Sequence, residues 1–355
     1  MEDIMNNNIN TGKSEIRSDI SGVDGIDSID ARVRVARDRI LSGTDIMKTV
    51  FSESGKRYYT YDYYLKKRFG GKCMKIPLDG GFTCPNIDGT KGVGGCTYCS
   101  HRPPAVRGLP IEEQYKAVRE PLIKKWGKDR AEERCIPYFQ SYTNTYAPTD
   151  YLRNLYYSAL ALPGAIGLSI GTRADCISDS TAELLREINE KTYLTVELGL
   201  QTVHDETAVR INRCHTYEDF LKGVEKLKGL NICVHLINGL PGETPYMMLE
   251  SASEIARLEP HEVKLHMLYI ERGCGMYDEY LRGEINMLSL EEYADIVCRQ
   301  LEVLPPDTVI GRITGDGEAD LLAAPEWSRK KFVVMNTIDK LMRERDVFQG
   351  DRCIK

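Results

Sequence analysis

Cys84, Cys96 and Cys99 are the residues whose type and spacing point most directly to chemistry. Eleven residues separate the first two, and four of these are glycine: Gly89, Gly92, Gly94 and Gly95. Glycine permits positive φ and close backbone approach, so a loop of this composition can wrap a compact inorganic group. A 4Fe–4S cluster saturated by protein takes four thiolates. Three thiolates leave one iron with an open position, by the same logic that leaves a vacant place on catalytic zinc. A structural zinc site built from Cys84, Cys96, Cys99 and His101 is the alternative that the cysteines alone leave open.

The elements that must position this loop alternate. Short apolar or β-branched runs at 74–78, 135–140, 166–170, 193–200, 232–237 and 262–268 read as strands. Helical patterns fall between them at 112–126, 149–161, 179–190, 204–228 (broken near Cys214) and 244–258. Thr149-Asp150 and Ser178-Asp179 supply N-cap chemistry. Repeated strand–helix units imply a parallel sheet with right-handed crossovers. Six units predict an α/β fold, a partial (β/α)6 TIM-like barrel over residues 56–270. The cysteine loop follows its first strand, at the face where such barrels keep their active sites. Residues 271–355 read as a small α/β C-terminal extension packed on the barrel, with a strand at 308–313. Residues 1–55, rich in Asn, Ser, Asp and Gly without a sustained period, read as a mostly disordered arm.

Bulk properties exclude several classes. A net charge of −6 argues against a protein that is basic throughout. The chain opens without the positive-then-apolar layout of a secretory signal, and no run of about 18 apolar residues is present. A cytoplasmic location without a membrane span follows as an expectation. Eleven cysteines, an odd number, then read as ligands, catalytic groups or core thiols instead of a disulfide framework.

With later segments, the loop resembles the radical S-adenosylmethionine (SAM) superfamily, and within it the YhcC/YtqA-type family, relatives of the catalytic subunit of Elongator. The resemblance is carried by Pro77 to Thr90, Gly94 to Cys99, Tyr138 to Pro148, Ser169 to Cys176, Val196 to Thr202, Asn212 to Thr216 and His235 to Glu243, in order. It implies a barrel of the radical SAM type, with Cys84, Cys96 and Cys99 holding a 4Fe–4S cluster whose open iron binds SAM. Reductive cleavage would then yield a 5′-deoxyadenosyl radical. The family's short cysteine spacing is lengthened here, as in the Elongator branch. The usual Gly-Gly-Glu after the second strand is replaced by Ser141 to Thr145.

The same resemblance nominates Tyr98 against the SAM adenine, with packing of a loop aromatic as the alternative. Thr143 and Thr145 fall in the replaced segment. Glu197 and Gln201 could meet ribose or carboxylate, or form a satisfied internal network. Arg173 and Arg213 could fork onto the SAM carboxylate or make ordinary ion pairs. Residues 56–75 hold seven cations against Asp62, interleaved with five tyrosines, which suits either single-stranded RNA or a helix packed on the barrel. The resemblance favours modification of the C5 side chain of the tRNA wobble uridine, in sharper form carboxymethylaminomethyl to aminomethyl, with flavodoxin or ferredoxin as reductant. A radical SAM enzyme acting on a protein or small metabolite, and a zinc-stabilised RNA-binding module, are the competing readings.

Overall fold

The structure, a computed structural model, describes residues 46–100, 106–315 and 317–353. Residues 1–45 of the expected arm and His101, the fourth residue of the zinc alternative, lie outside the described residues.

The described residues begin with helix α1 (Ile46–Ser54), which buries Val50 and sets Phe51 edge-on to Phe348 at 5.4 Å. This corrects the expectation of an unstructured arm through residue 55. The partner that orders α1 lies almost at the other end of the chain, where no local pattern reveals it. Helix α2 (Tyr61–Phe69) follows, capped by the Thr60 hydroxyl and stopped by Gly70 in the left-handed region. Strands and helices then alternate: β1 (Met74–Leu78), α3 (Ile111–Trp126), β2 (Cys135–Phe139), α4 (Thr149–Leu160), β3 (Gly167–Thr172), α5 (Asp179–Lys191) and β4 (Tyr193–Gln201). The sequence continues with α6 (Asp205–Arg210), α7 (Tyr217–Lys226), β5 (Asn231–Asn238), α8 (Pro245–Ala256) and β6 (Glu262–Met267). Last come β7 (Ile270–Glu271), α9 (Tyr277–Leu281), α10 (Leu290–Val303), β8 (Val309–Arg312), β9 (Leu322–Ala324) and α11 (Lys331–Glu344). Ser178 caps α5 as expected, but the cap of α4 is Pro148, and the Thr149 hydroxyl pairs with Ser180 instead.

Seven strands form one parallel sheet in the order β1-β2-β3-β4-β5-β6-β8, while β7 and β9 make a separate antiparallel ribbon. The expected partial α/β barrel is present with one strand more than six. β8, read from sequence as part of the extension, pairs parallel with β6 and belongs to the sheet. The sheet must curl, because Lys75 of β1 and Lys264 of β6 both reach Glu197 of β4.

Alternation along each strand divides the sheet into two faces. Ile76, Phe139, Ile170, Leu198, Val234 and Leu265 point outward into the main apolar core, which Leu185 and Ile188 of α5, Phe220 of α7 and Ile255 of α8 complete. Each such side chain contributes roughly 1.5–3 kcal/mol on burial. The intervening positions Lys75, Tyr138, Glu197, His235 and Lys264 point inward and are polar.

The bottom of the barrel is closed by α2. Leu65 packs with Ile136 and Tyr193, and Tyr64 lies 5.0 Å from His261, all near strand N-termini. The Ile310 amide donates to the Tyr59 carbonyl at 2.7 Å, so the segment before α2 rides on β8. Of the two readings for residues 56–75, packing is the one observed. Tyr58 is buried, Lys66 pairs with Asp62, Lys67 with Glu53, and Arg68 covers the Tyr193 ring. Among the described residues, no helix is long and apolar enough to cross a membrane.

Candidate active site

The loop after β1 folds on itself before meeting anything else. The Ile87 amide bonds the Cys84 carbonyl at 2.8 Å, Lys91 bonds Pro85 at 2.8 Å, and Gly95 bonds Asn86 at 2.8 Å. Gly94 and Gly95 carry φ of 79° and 70°, which a side chain would strain. Gly92 is required for space: a Cβ there would sit 2.2 Å from Asn86 Oδ1 and 2.7 Å from Cys214 Sγ.

The segment after α6 then clamps the loop. The Asn212 side-chain amide donates to the carbonyls of Val93 (3.0 Å) and Gly95 (2.8 Å), and the Thr97 amide donates to the Ile211 carbonyl at 3.0 Å. Cys96 is buried, with Asn86 Nδ2 donating to its sulfur at 3.6 Å. A hydrogen bond with Cys99 holds the Cys96 thiol down to about 6 against the opposing effect of burial, with help from Tyr98 and Arg173. Such a site favours a thiolate, the form that ligates metal. Three thiols on one glycine-rich loop, two of them close enough to share a hydrogen bond, fit an iron–sulfur cluster with an open iron.

The loop opens on a cavity of about 420 Å³ at the C-terminal ends of the strands. Tyr98 and Cys99 form one wall, Gln140 and Tyr142 after β2 a second, and Gly199, Gln201 and Ile237 a third. The last residue of β4, Gln201, has φ of 67° and follows a break in register, which turns it toward the cavity.

The floor is a charge network. Glu197 receives the Lys75 ammonium on one oxygen, and on the other the Tyr138 hydroxyl (2.7 Å), His235 Nε2 (2.9 Å) and the Lys264 ammonium. Burial alone would raise the Glu197 carboxyl, but Lys264 and Lys75 overrule it and hold it well below the usual range. Burial, with Lys264 adding, lowers His235 to about 4, so the ring is neutral near pH 7. Glu197, Cys233 and His235 bring ligand atoms within 4.8 Å of one another, but two ammonium groups already hold the carboxylate, which disfavours a cation there.

Of the residues nominated from sequence, Tyr98, Gln201 and Glu197 line the cavity. Glu197 does so with both carboxylate oxygens engaged in an internal network. The other four nominated SAM contacts do not line this cavity. Arg173 forks onto Asp175 at 3.0 Å and donates to the Arg213 carbonyl at 2.8 Å. Arg213 is buried; its Nε and Nη1 donate to the carbonyls of His215, Leu200 and Thr202, while Nη2 lies 3.6 Å from Asp205 without a hydrogen-bond partner among the described residues. The Thr145 hydroxyl bonds Thr172 and the Cys176 carbonyl, and Thr143 is packed under the loop through its amide and the Thr83 carbonyl. Sequence reasoning missed Lys75, Tyr138, Lys264 and His266. For Lys264 and His266 the signal was present: Glu262-Val-Lys-Leu-His-Met267 alternates polar and apolar inside a buried strand.

Comparison with known proteins follows this geometry. A family model for the radical SAM superfamily matches residues 89–255, and a model for a radical SAM C-terminal domain matches 260–344. The protein YtqA of Bacillus subtilis is 43% identical over 84% of this chain and 94% of its own length. YhcC of Escherichia coli K12 is 35% identical over 80% of this chain and 91% of its own. A tRNA uridine(34) acetyltransferase of Methanocaldococcus jannaschii is 30% identical over 44% of this chain and 29% of its own length. Among solved structures, Elp3 of Methanocaldococcus infernus superposes with a TM-score of 0.56 at 18% identity, over 78% of this chain and 64% of that one.

Proposed function

The chain belongs to the radical SAM superfamily, alongside YtqA and YhcC, and from that membership we propose that Cys84, Cys96 and Cys99 hold its cluster and that its substrate is the wobble uridine of tRNA. The family uses a 4Fe–4S cluster and SAM. When bound, these supply the electron and the carbon–sulfur cleavage that generate a 5′-deoxyadenosyl radical, with flavodoxin or ferredoxin as a suitable reductant.

One observation carries the ligand assignment: the cysteine loop sits at the C-terminal mouth of the sheet, and Cys99 and Tyr98 line the same cavity as Gln201. The protein's own part is to cradle the cluster on the loop, to present the Tyr98 ring to adenine and Gln201 to ribose, and to exclude water from the radical. Cys96→Ala should lose the iron, the sulfide and SAM cleavage while keeping its fold by circular dichroism. A variant that still forms 5′-deoxyadenosine would refute the assignment.

The substrate reading is supported by the partial match to a relative named as a tRNA uridine(34) acetyltransferase. The sharper form takes carboxymethylaminomethyluridine to aminomethyluridine, with SAM as the two-electron oxidant, reduced to methionine and 5′-deoxyadenosine, and water releasing the carboxymethyl carbons as glyoxylate. Mass spectrometry of tRNA nucleosides from a deletion strain tests it: the carboxymethylaminomethyl form should accumulate. An unchanged wobble-uridine profile would turn attention to a protein or metabolite substrate.

A further inference from the structure

Asn86 lies two residues beyond Cys84 and is fully buried. Its side-chain nitrogen donates to Cys96 Sγ at 3.6 Å and also to the carbonyl of Asn212. That carbonyl is itself fixed, because the Asn212 side chain is tied to Val93 and Gly95 on the same loop. Gly92 leaves the space that the amide fills, since a Cβ there would meet Asn86 Oδ1 at 2.2 Å. Four residues thus hold one N–H against one sulfur. A structural prop for the loop needs only the bond to Asn212; the approach to sulfur is additional.

On the ligand assignment proposed above, we propose that Asn86 is a positioning residue that raises the reduction potential of the cluster through Cys96. Reduction adds one electron to the cluster, and part of that charge falls on the ligand sulfurs. An N–H dipole aimed at a sulfur stabilises the more negative state, so hydrogen bonds to sulfur raise the potential. No proton moves and no bond to Asn86 breaks.

The test is an electron-paramagnetic-resonance redox titration of the anaerobically reconstituted full chain, without SAM. Asn86→Ala should keep its iron and sulfide and shift to a more negative midpoint. The ratio of reduced to oxidised cluster at fixed potential should fall roughly tenfold, about 59 mV for a one-electron couple. Asn86→Asp, which sets an acceptor where the donor was, should shift further the same way. If Asn86→Ala does not retain iron, Asn86→Leu, which keeps the side chain's size without an N–H, tests the same bond, and its midpoint should also move negative. Midpoints equal to wild type in iron-loaded variants would overturn the proposal. A wild-type chain that takes up no iron, or a Cys96→Ala variant that keeps its cluster, would instead overturn the ligand assignment.

Discussion

Glu197 is one carboxylate facing two ammonium groups, a phenol and an imidazole inside the curled sheet. Removing one member of such a buried network strands the others, at a cost of roughly 3–5 kcal/mol. Glu197→Gln should therefore lower unfolding stability in urea by about that amount; a loss under about 1 kcal/mol would show that the network carries little of the fold. The histidines give the pH dependence its sign. Burial lowers His235 to about 4 and His215 to about 3, below the unfolded value of about 6.5. Below that pH the unfolded chain binds protons that the folded chain refuses, so stability present above it drains away as acid is added. Each histidine contributes up to about 1.4 kcal/mol per pH unit, His235 down to its folded value. Urea unfolding between pH 7.5 and 5 should show this decline, and His235→Asn should remove one histidine's share of the slope. An unaltered slope would contradict the buried, neutral ring.

Helix α2 shows how composition and position part company. Its cations and tyrosines have the ingredients for RNA, but the helix sits under the N-terminal ends of the strands, opposite the cavity mouth. Leu65→Ala should cost about 2–5 kcal/mol, since the residue seals the barrel bottom. Charge reversal at Lys66 and Lys67 should leave tRNA affinity and its salt dependence unchanged in a filter-binding assay. A steep loss of affinity would return this helix to the RNA interface. The loop after β1 is the opposite case. Its chemistry is local, so the cysteine spacing and glycine content were legible without a fold. The clamp upon it was not, because Asn212 lies more than a hundred residues away in sequence.

At the scale of the molecule, β8 covers the edge of β6, and the segment before α2 in turn rides on β8. A chain ending at residue 305 would lose β8 and leave a bare β6 edge beside the buried charges Glu262 and Lys264. An exposed edge of this kind pairs with other chains. The shortened protein should sediment as aggregate, and a monodisperse soluble product would show that β8 is dispensable. Sequence by itself determined the cysteine loop, the strand–helix rhythm and hence the parallel α/β architecture, because these depend on spacing and periodicity within a few dozen residues. Tertiary structure alone decided where the long polar side chains end. Arg173 meets Asp175 and the Arg213 carbonyl, Arg213 meets the carbonyls of Thr202 and His215, and Lys75 and Lys264 converge on Glu197. The reason is physical: a strand fixes which face a side chain takes, but the curl of the sheet decides which distant charge it meets.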